Sequence, residues 1–348
     1  MPKTKKPNRR PDNPAHSVAS LFKQLGREEK IKVRLEPAWQ QVGKITRPDG
    51  TATYFRGTNF DLNGLGATEI ARDKGYAAYF LKLAGFRVIP GKTFYSPKFA
   101  RQLNSRNDPT AAYEYAKNKI GWPVVVKPNS LSQGRLVCVA DDKPTFAQAA
   151  QKICRLDRVF LVQPLLLDHD YRVVILDGEV ISAYERLPLF VIGDGIATID
   201  ELLNKKQKKY EASGRDTTID KRDFRIDLRL KRHYLNRASV LAKGQIFNLL
   251  DNRNLSTGGE AIDATDEIHS SYKNLAVKIV RGMGLRYCGV DLMVQSDIKK
   301  PLDPRTNNYY VIEINSAPGI DNYAKSGAKQ KKIVKEIYRK ILKKLNNQ

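Results

Sequence analysis

Two apolar segments near the C-terminus, YCGVDLMVQ at 287–295 and YYVIEIN at 309–315, each carry one acidic residue among hydrophobic ones. The connection between them, DIKKPLDPRTNN, is polar and rich in turn-forming residues, which predicts an antiparallel hairpin. Opposed residues in a hairpin lie equally far from its turn, so a turn centred near position 302 puts Asp291 opposite Glu313. Any fold proposed for this chain must accommodate two facing acids within apolar strands.

The polar residues of these strands predict a metal site. Residues two apart in a strand share a face, so Glu313 and Asn315 point to one side, and Ile312 and Ile314 pack on the other. Two facing carboxylates repel unless a cation or a proton lies between them. Together with the amide oxygen of Asn315, Asp291 and Glu313 are hard oxygen donors that suit Mg²⁺. Surface charges paired with arginines explain the hairpin equally well, so both interpretations stay open at this point.

The composition is that of a globular protein with a sizeable core. The chain has 348 residues, 41% of them hydrophobic, which is enough for two or three subdomains around one site. We expect no signal peptide and no membrane span, because no apolar segment follows the charged start and none is long enough to cross a bilayer. Three widely spaced cysteines, Cys138, Cys154 and Cys288, indicate buried thiols in a reducing compartment, so the expected location is cytoplasmic.

Half of the net charge of +24 lies in the two ends of the chain. Residues 1–12 contain five Lys/Arg and one acid and are expected to be disordered, while residues 325–348 contain nine and one. In the second segment, apolar residues recur every four positions, at Ile333, Ile337, Ile341 and Leu345. This spacing predicts a basic amphipathic helix, and docking on its own domain is favoured over a membrane or RNA contact. The basic surface favours an acidic partner or substrate.

Strands and helices mix along the chain without a regular βαβ repeat. The pattern predicts a hairpin at 42–55 around Pro-Asp-Gly, one helix over 67–86 that ends at Gly85, and a hairpin at 171–187 around Asp-Gly. A charged helical region follows at roughly 200–243. This order favours an α+β architecture over a doubly wound sheet.

Two lysines indicate an anionic ligand. Lys127 ends the apolar run VVVKP, and a cation at the end of a buried strand needs an anionic partner. The following loop, NSLSQGR, has Ser, Gln and Gly residues that can place donors over phosphate. Lys74 is either a second phosphate ligand or a solvated helix lysine. No histidine pair has zinc-ligand spacing, and no GxSxG motif of a serine hydrolase occurs.

Several motifs occur together in an order that resembles ATP-grasp carboxylate–amine ligases. They are ATEIARDK, VVVKPNSLSQGR, FLVQPLLLDHDYRVVILDG, VIGDGIATIDELL, NLSTGGEAIDATDEIH, GLRYCGVDLM and VIEINSAPGI. The resemblance covers about residues 64–325 and is closest to the ATP-grasp module of cyanophycin synthetases. It is more distant to D-alanine–D-alanine ligases and bifunctional glutathione synthetases. VIGDGxxTIxEL and NLSTGG are the most specific of these motifs.

The resemblance implies an α+β fold in which two subdomains grip ATP, with ATP and Mg²⁺ as cofactors. It implies a reaction in which a carboxylate attacks the γ-phosphate, and an amine then displaces phosphate to form an amide. We expect residues 1–66 to form a basic tail and a short N-terminal region with a β-hairpin. Residues 67–348 would form the ATP-grasp catalytic module, which ends in the basic amphipathic helix.

The resemblance also implies roles for individual residues. The nucleotide would be bound by Lys74 and Lys127 at the phosphates, Ser132, Gln133 and Gly134 in the phosphate loop, Gln163, Pro164, Leu165 and Leu166 at adenine, and Asp170 at the ribose. Mg²⁺ would be bound by Asp291, Glu313 and Asn315. The substrate would be bound by Arg186, Ser256, Thr257, Gly258 and Gly259. Arg186 and Lys127 would be the catalytic residues, and Arg172 could also face the site.

The chain departs from the family pattern in four ways. Leu136 stands where the family often has a second glycine, which suggests a stiffer phosphate loop, and Gln163 stands where an acid is common. The second, Mur-ligase-like half of cyanophycin synthetase is missing, and the N-terminal domain is shortened. We therefore expect a stand-alone ligase rather than cyanophycin polymerisation.

Three functions remain in view. The first is an ATP-dependent ligase that joins an amino-acid or peptide carboxylate to an amine. The second is a peptide-modifying ligase or macrocyclase that acts on an acidic precursor peptide. The third is a non-catalytic nucleotide- or nucleic-acid-binding protein, which is disfavoured because the lysines and metal donors are all present. We expect no membrane partner and no nucleic-acid partner, and a homo-oligomer is compatible with the sequence.

Overall fold

The computed structural model describes residues 18–215, 217–303, 305–306, 308–324 and 328–347. The described part contains three antiparallel sheets of four or five strands, together with a separate two-stranded sheet. Helices cover these sheets and do not alternate with parallel strands. The predicted α+β class is therefore confirmed.

The N-terminal part is a helix followed by a four-stranded sheet. α1 spans Val18–Glu28, and the strands β1 Lys32–Leu35, β2 Val42–Thr46, β3 Ala52–Arg56 and β4 Asn59–Phe60 are neighbours in sequence order. The hairpin predicted around Pro-Asp-Gly is confirmed, because β2 pairs antiparallel with β3. The predicted basic tail, residues 1–12, lies outside the described residues.

A second four-stranded sheet follows two short helices. Its elements are α2 Leu65–Arg72, α3 Lys74–Leu83, β5 Lys92–Tyr95, α4 Pro97–Gln102, α5 Pro109–Tyr115, β6 Val124–Pro128, β7 Cys138–Ala140, α6 Lys143–Cys154 and β8 Val159–Pro164. The strands are neighbours in the order β5, β8, β6, β7. A core that includes Phe94, Phe146 and Phe160 joins this sheet to its helices.

The single helix predicted over 67–86 is wrong, because the chain forms two helices that meet at Asp73. Asp73 has extended backbone angles (φ −92°, ψ 108°) and ends α2. Its Oδ1 accepts a hydrogen bond from Tyr76 N at 2.8 Å, which caps the N-terminus of α3. The predicted end at Gly85 agrees with its φ of +85°, which glycine adopts readily.

The third sheet has five strands in the order β13, β10, β9, β14, β15. This part of the chain contains β9 His169–Leu176, β10 Glu179–Leu187, β11 Phe190–Ile192, α7 Ile199–Ala212, α8 Phe224–Arg232, β12 Ile246–Asn248, β13 Glu260–Asp263, α9 Ser270–Gly282, β14 Tyr287–Val294, β15 Tyr309–Asn315, α10 Asp321–Ala324 and α11 Ala328–Asn346. The β9–β10 hairpin is confirmed. The predicted helical region at 200–243 is helical only in α7 and α8, which pack with the β11–β12 pair in a small core of their own.

The β14–β15 hairpin has the predicted register with one departure. Asp291 pairs with Glu313, as the position of the turn predicts. The register then shifts between Asp291 and Leu292, because Ile312 is an additional residue in β15. The prediction that both isoleucines share the packed face is therefore wrong. Ile314 is buried in the core, whereas Ile312 lines a cleft beside Glu313.

The C-terminal helix α11 docks on its own chain, as the sequence predicts. It buries Val334, Ile337, Tyr338, Ile341, Leu342 and Leu345. These residues share a core with Phe22 of α1 and Ile45 of β2. Glu28 at the end of α1 binds Lys335 and Arg339 of α11 at 2.8 and 2.7 Å. Among the described helices, none is long and apolar enough to cross a bilayer.

Candidate active site

A cleft with a cavity of about 160 Å³ lies between the second sheet and the five-stranded sheet. The predicted site residues that line it are Lys74, Lys127, Ser132, Gln133, Gly134, Gln163, Pro164, Leu165, Leu166, Asp170, Arg186 and Glu313. They come from both sheets and from the loop between β6 and β7. The fold therefore brings most of the predicted nucleotide-binding residues to one place.

The other predicted residues lie beside this cleft rather than on its surface. Asp291 is fully buried next to Arg186, and Asn315 Nδ2 lies 3.5 Å from Glu313 Oε1. Ser256 and Thr257 line an adjacent pocket that also contains the phosphate-loop residues Ser132 and Gln133. Gly258 and Gly259 line neither of these two cavities.

Both predicted lysines line the cleft on the side of the second sheet and its helices. Lys127 is 6% exposed near the end of β6, and burial lowers its pKa to about 8. Lys74 Nζ donates to Leu131 O at 2.7 Å and lies 3.7 Å from Glu313 Oε2. Lys74 is therefore not a solvated helix lysine, because backbone carbonyls of the phosphate loop and an acid on the opposite sheet hold its ammonium group in the cleft.

A chain of alternating charges crosses the floor of the site. Arg186 Nη2 lies 2.6 Å from Asp170 Oδ1, and its Nη1 lies 2.8 Å from Asp291 Oδ2. Arg172 binds Asp291 in a bidentate pair, with both bonds at 2.7 Å, and its Nη2 lies 3.7 Å from Glu313 Oε1. These side chains meet because Asp291 is the strand partner of both Arg172 and Glu313. The arginine-paired interpretation therefore applies to Asp291, which binds two arginines.

The electrostatics of this chain keep Glu313 charged. Burial opposes its ionisation, but Lys74, Arg172 and Lys127 together lower the pKa of Glu313 to about 2. Burial also disfavours the charged form of Arg172, yet the Asp291 carboxylate raises the pKa of Arg172 well above its ordinary value. Glu313 thus remains an anion beside the cations Lys74, Lys127 and Arg172.

The three oxygen donors fit a divalent cation by their chemistry. Asp291 Oδ1 accepts one arginine hydrogen bond, whereas Oδ2 is close to two arginines, so Oδ1 keeps a lone pair. Glu313 lies 3.7 Å from Lys74 and from Arg172 and accepts a long hydrogen bond of 3.5 Å from Asn315 Nδ2, and these weak contacts leave its oxygens available. In the described part of the chain, no three His, Cys, Asp or Glu side chains cluster as metal ligands, so Asn315 would be the third donor.

The phosphate loop is held in an unusual backbone conformation. Gln133, Gly134 and Leu136 have φ of +59°, +67° and +56°. Leu136 thus adopts the left-handed conformation that glycine favours, which is unusual for a branched side chain. A Cβ on Gly134 would lie 2.3 Å from Asn254 Oδ1, so this position has no room for a larger residue.

The inserted helix α8 contacts the phosphate loop from outside. Arg225 Nη1 donates to Gly134 O at 2.6 Å and to Val137 O at 3.1 Å. Asp223 fixes the Arg225 guanidinium at 2.5 Å. Ser256 Oγ in the STGG turn donates to Gln133 O at 3.4 Å. The segment between β10 and β13 therefore holds the loop through hydrogen bonds to its backbone carbonyls.

The residues predicted to contact adenine lie at the end of β8 and directly after it. Gln163 is buried, and its Nε2 donates to Ile89 O at 3.2 Å. This hydrogen bond needs an amide, which explains why the acid common in the family is replaced here. Pro164 pairs with Val124 at the end of the sheet. The residues that follow it, Leu165 and Leu166, line the cleft.

Sequence reasoning missed Asn252 in the wall of the cleft. Its side chain is buried, and its Oδ1 accepts a hydrogen bond from Thr257 Oγ1 at 2.7 Å. Its Nδ2 is buried without a partner in the described residues. A buried donor without a partner costs about 1–3 kcal/mol, which indicates a ligand oxygen at this point. The only sequence signal is its position two residues before the NLSTGG motif.

Comparison with known proteins agrees with this geometry. A model of the RimK-like ATP-grasp domain matches residues 251–341. The glutathione biosynthesis bifunctional protein GshAB of Mannheimia succiniciproducens is 36% identical over 256 residues, 72% of this chain and 32% of that protein. Cyanophycin synthetase of Trichormus variabilis is 34% identical over 272 residues, 76% of this chain and 28% of that protein.

A solved structure shares the architecture over nearly the whole chain. The bifunctional glutathione synthetase from Pasteurella multocida superposes with a TM-score of 0.56 at 28% identity, and covers 92% of this chain and 44% of that one. This chain spans about a third of the length of the curated relatives it matches. The sequence motifs, the two-sided cleft and these similarities show that the protein belongs to the ATP-grasp family.

Proposed function

We propose that the protein is an ATP-dependent carboxylate–amine ligase that forms an amide bond through an acylphosphate. The observation that carries this proposal is the meeting of Lys74, Lys127 and Glu313 in one cleft between two sheets. Two lysines can bind phosphates, and an acid on the opposite sheet can bind the metal that accompanies them. The names of the relatives, glutathione biosynthesis protein and cyanophycin synthetase, support amide formation by proteins with this module.

ATP would bind with its adenine beside Gln163 and Leu166 and its phosphates beside the two lysines. Asp170 would bind the ribose through Oδ2, because Arg186 donates both of its hydrogen bonds to Oδ1. The phosphate loop would close over the β- and γ-phosphates with backbone and side-chain donors. The unpaired Nδ2 of Asn252 would donate to an oxygen of the nucleotide or of the acyl substrate.

Mg²⁺ would be held by Asp291, Glu313 and Asn315, whose oxygens fit it as described above. When bound, it supplies charge neutralisation for the β- and γ-phosphates. Cationic side chains of the protein would also neutralise the negative charge of these phosphates. Lys127 and Lys74 lie on the phosphate side, and the arginine chain fixes Asp291 and faces Glu313.

In the first step, a carboxylate oxygen of the substrate forms a bond to the γ-phosphorus, and the bond to the β-phosphate oxygen breaks to release ADP. In the second step, an amine nitrogen attacks the acyl carbon, phosphate leaves, and the nitrogen loses a proton. Three of the five N–H groups of Arg186 bind Asp170 and Asp291, so two remain to stabilise the acylphosphate and the tetrahedral oxyanion. Catalysis then rests on positioning and charge rather than on covalent chemistry of the protein.

A coupled assay tests this function. The purified chain is incubated with ATP, Mg²⁺ and a panel of amino acids and peptides, with hydroxylamine as the trapping amine. We expect ADP release that depends on one class of carboxylate, together with equal amounts of acyl hydroxamate. ATP binding without hydroxamate from any carboxylate would contradict the proposal and favour a non-catalytic nucleotide-binding protein.

A further inference from the structure

The outer face of the N-terminal sheet carries three exposed cations next to an exposed tyrosine. Arg34 of β1 pairs with Lys44 of β2, and Lys44 pairs with Tyr54 of β3. Opposed residues in an antiparallel pair point to the same side, and Arg56 joins them because it lies two residues beyond Tyr54. We call Arg34, Lys44, Tyr54 and Arg56 the basic sheet face. All four are exposed, and Tyr54 is 59% exposed.

The opposite face of this sheet packs in the protein core. Ile45 and Phe55 are buried against Phe22 of α1, in the core that also contains α11. The ring centroids of Phe22 and Phe55 lie 4.9 Å apart. The sheet is therefore anchored through one side, and the basic sheet face is left for another role.

The cations of the basic sheet face make no ion pair with any described residue. The nearby acids are engaged elsewhere. Glu36 accepts backbone hydrogen bonds from Trp39 and Gln40, and Asp61 accepts one from Tyr54 N. By contrast, Glu28 and Glu29 of α1 are saturated by cations of α11. The basic helix α11 is thus paired with acids of α1, whereas the cations of the basic sheet face form no ion pair with the described residues.

The basic sheet face lines a groove of about 600 Å³, and the β3–β4 turn beside this groove contacts the segment that follows β15. All four of its residues border the groove, together with Asn59 of β4. In the β3–β4 turn, Thr58 Oγ1 donates to Ala317 O at 3.0 Å. Just after β4, Asn63 Nδ2 donates to Ser316 O at 2.9 Å. Ser316 directly follows Asn315, so these two hydrogen bonds connect the N-terminal sheet region beside the groove to the loop that leaves the proposed metal site.

We propose that the basic sheet face binds an acidic peptide segment of the substrate, which leads its reacting group past the β3–β4 turn into the cleft. This inference rests on the proposed ligase function and names its substrate class. Arg34 and Arg56 offer planar forks that match carboxylates, Lys44 adds a point charge between them, and the Tyr54 ring packs against side-chain methylenes. The groove and its charge thus fit an extended chain of Glu or Asp residues.

Two other occupants fit this face less well. Residues 1–17 contain five Lys/Arg and one acid, so they repel a basic face rather than cover it. Single-stranded nucleic acid is bound by several stacking aromatics, whereas Tyr54 is the one exposed ring on the described strands of this sheet. An acidic peptide is favoured because its carboxylates complement the cations of this face, and because the neighbouring β3–β4 turn contacts the segment that follows the proposed metal site.

Binding of a fluorescein-labelled deca-glutamate peptide, followed by anisotropy at low salt without ATP, tests the proposal. The double variant Arg34→Glu with Lys44→Glu is expected to weaken binding about tenfold, because each reversal replaces attraction by repulsion. The matched control is Lys98→Glu with Lys119→Glu, which changes the net charge equally at exposed sites in another subdomain. The control is expected to bind like the unmodified protein, and Tyr54→Ala to weaken binding about threefold.

The outcomes separate this proposal from the ligase function. Equal loss of binding in both double variants, or none in either, overturns the proposal. So does tighter binding of labelled U10 RNA that Arg34→Glu with Lys44→Glu abolishes, since the face would then serve nucleic acid. Equal melting temperatures of the two double variants establish that the sheet is intact. Because the assay contains no ATP, a failure of hydroxamate formation contradicts the ligase function without affecting this result.

Discussion

Glu313 and Asp291 carry the same charge in different surroundings. The Glu313 side chain is 24% exposed at the cleft, whereas Asp291 is fully buried between two arginines. The same loss of charge therefore has different consequences at the two positions. The change at Glu313 removes a proposed metal ligand, whereas the change at Asp291 also leaves two buried arginines without their shared carboxylate.

Replacing Glu313 by Gln is expected to lower kcat at least about 100-fold, because a preorganised charge at the phosphates is lost. The free energy of unfolding should also fall, by up to about 3 kcal/mol at neutral pH, because the lowered pKa of Glu313 shows that Lys74, Arg172 and Lys127 favour its charged form. Steady-state ADP release and urea unfolding measure the two effects. Glu179→Gln, which removes an exposed charge bound to Lys340, is the control and should keep full activity. A near-normal kcat in Glu313→Gln would show that Glu313 is not a ligand of the metal.

Replacing Asp291 by Asn is expected to lower the free energy of unfolding by about 3 kcal/mol. The variant leaves Arg172 and Arg186 buried with an uncompensated positive charge. The urea midpoint measures the loss, and Asp177→Asn is the matched control. Asp177 binds Arg286 and Lys344 nearer the surface, so its loss should cost less than about 1 kcal/mol. An unchanged midpoint in Asp291→Asn would show that the arginines do not depend on this carboxylate.

The lowered pKa of Lys127 predicts a pH dependence of ATP binding. Its ammonium attracts phosphate below pH 8 and is neutral above it in the free protein. Bound phosphate raises that pKa, so ATP affinity should be constant below about pH 7 and weaken above pH 8 by up to about tenfold per pH unit. Titration calorimetry from pH 6.5 to 9.5 measures this trend. Lys127→Arg, which stays charged, should flatten it, and an equally steep fall in that variant would assign the effect to another group.

Some of these residues are visible in the sequence and others are not. Lys127 and Glu313 stand out because each is charged at the end of an apolar run. The partner of Arg172 could not be predicted, because its bidentate bond joins residues 119 positions apart. Asn252 gives no pattern either, since an asparagine in a polar loop is ordinary until burial leaves its Nδ2 without a partner.

The break between α2 and α3 places Lys74 at the start of a helix. Asp73 caps α3 through Oδ1 and accepts a 2.6 Å hydrogen bond from Asn129 Nδ2 through Oδ2. Asn129 Oδ1 in turn accepts from Gly75 N. This small network ties the first turn of α3 to the start of the predicted phosphate loop, and so fixes Lys74 at the cleft where we propose that the nucleotide binds.

Replacing Asp73 by Ala is expected to cost about 1–2 kcal/mol of stability and to weaken ATP binding about tenfold. Asp108→Ala is the matched control, because Asp108 caps α5 through the same kind of hydrogen bonds outside the cleft. It should lose similar stability without losing ATP affinity. Thermal unfolding and a fluorescent-nucleotide titration measure the two effects. Equal ATP affinity in both variants would show that the break between α2 and α3 does not contribute to nucleotide binding.

The elements differ in how far the sequence predicts them. The β14–β15 register follows from the position of a turn-rich connection, so Asp291 opposite Glu313 is predictable. The bulge at Ile312 is not, because one additional residue leaves the apolar pattern of the strand unchanged. The helix break at Asp73 is hidden for a similar reason, since its surroundings keep helical spacing on both sides.

The arrangement of the subdomains depends on contacts between distant segments. The bond from Thr58 to Ala317 and those from Asn63 to Tyr287 and Ser316 attach the N-terminal sheet to the five-stranded sheet. No local pattern encodes such pairs, so the sequence predicts several of the elements but not how the N-terminal sheet is placed against the five-stranded sheet. The amphipathic spacing of α11 does predict that it docks, because its apolar stripe must be covered.

The acylphosphate route is tested most directly by following one oxygen atom. The carboxylate that gives the highest hydroxamate yield is labelled with ¹⁸O on both oxygens and reacted with ATP, Mg²⁺ and an amine. Attack of that carboxylate on the γ-phosphorus transfers one labelled oxygen, so each released phosphate should carry one ¹⁸O, measured by its shift in the ³¹P spectrum. Unlabelled phosphate beside ADP, or label in AMP, would contradict the mechanism.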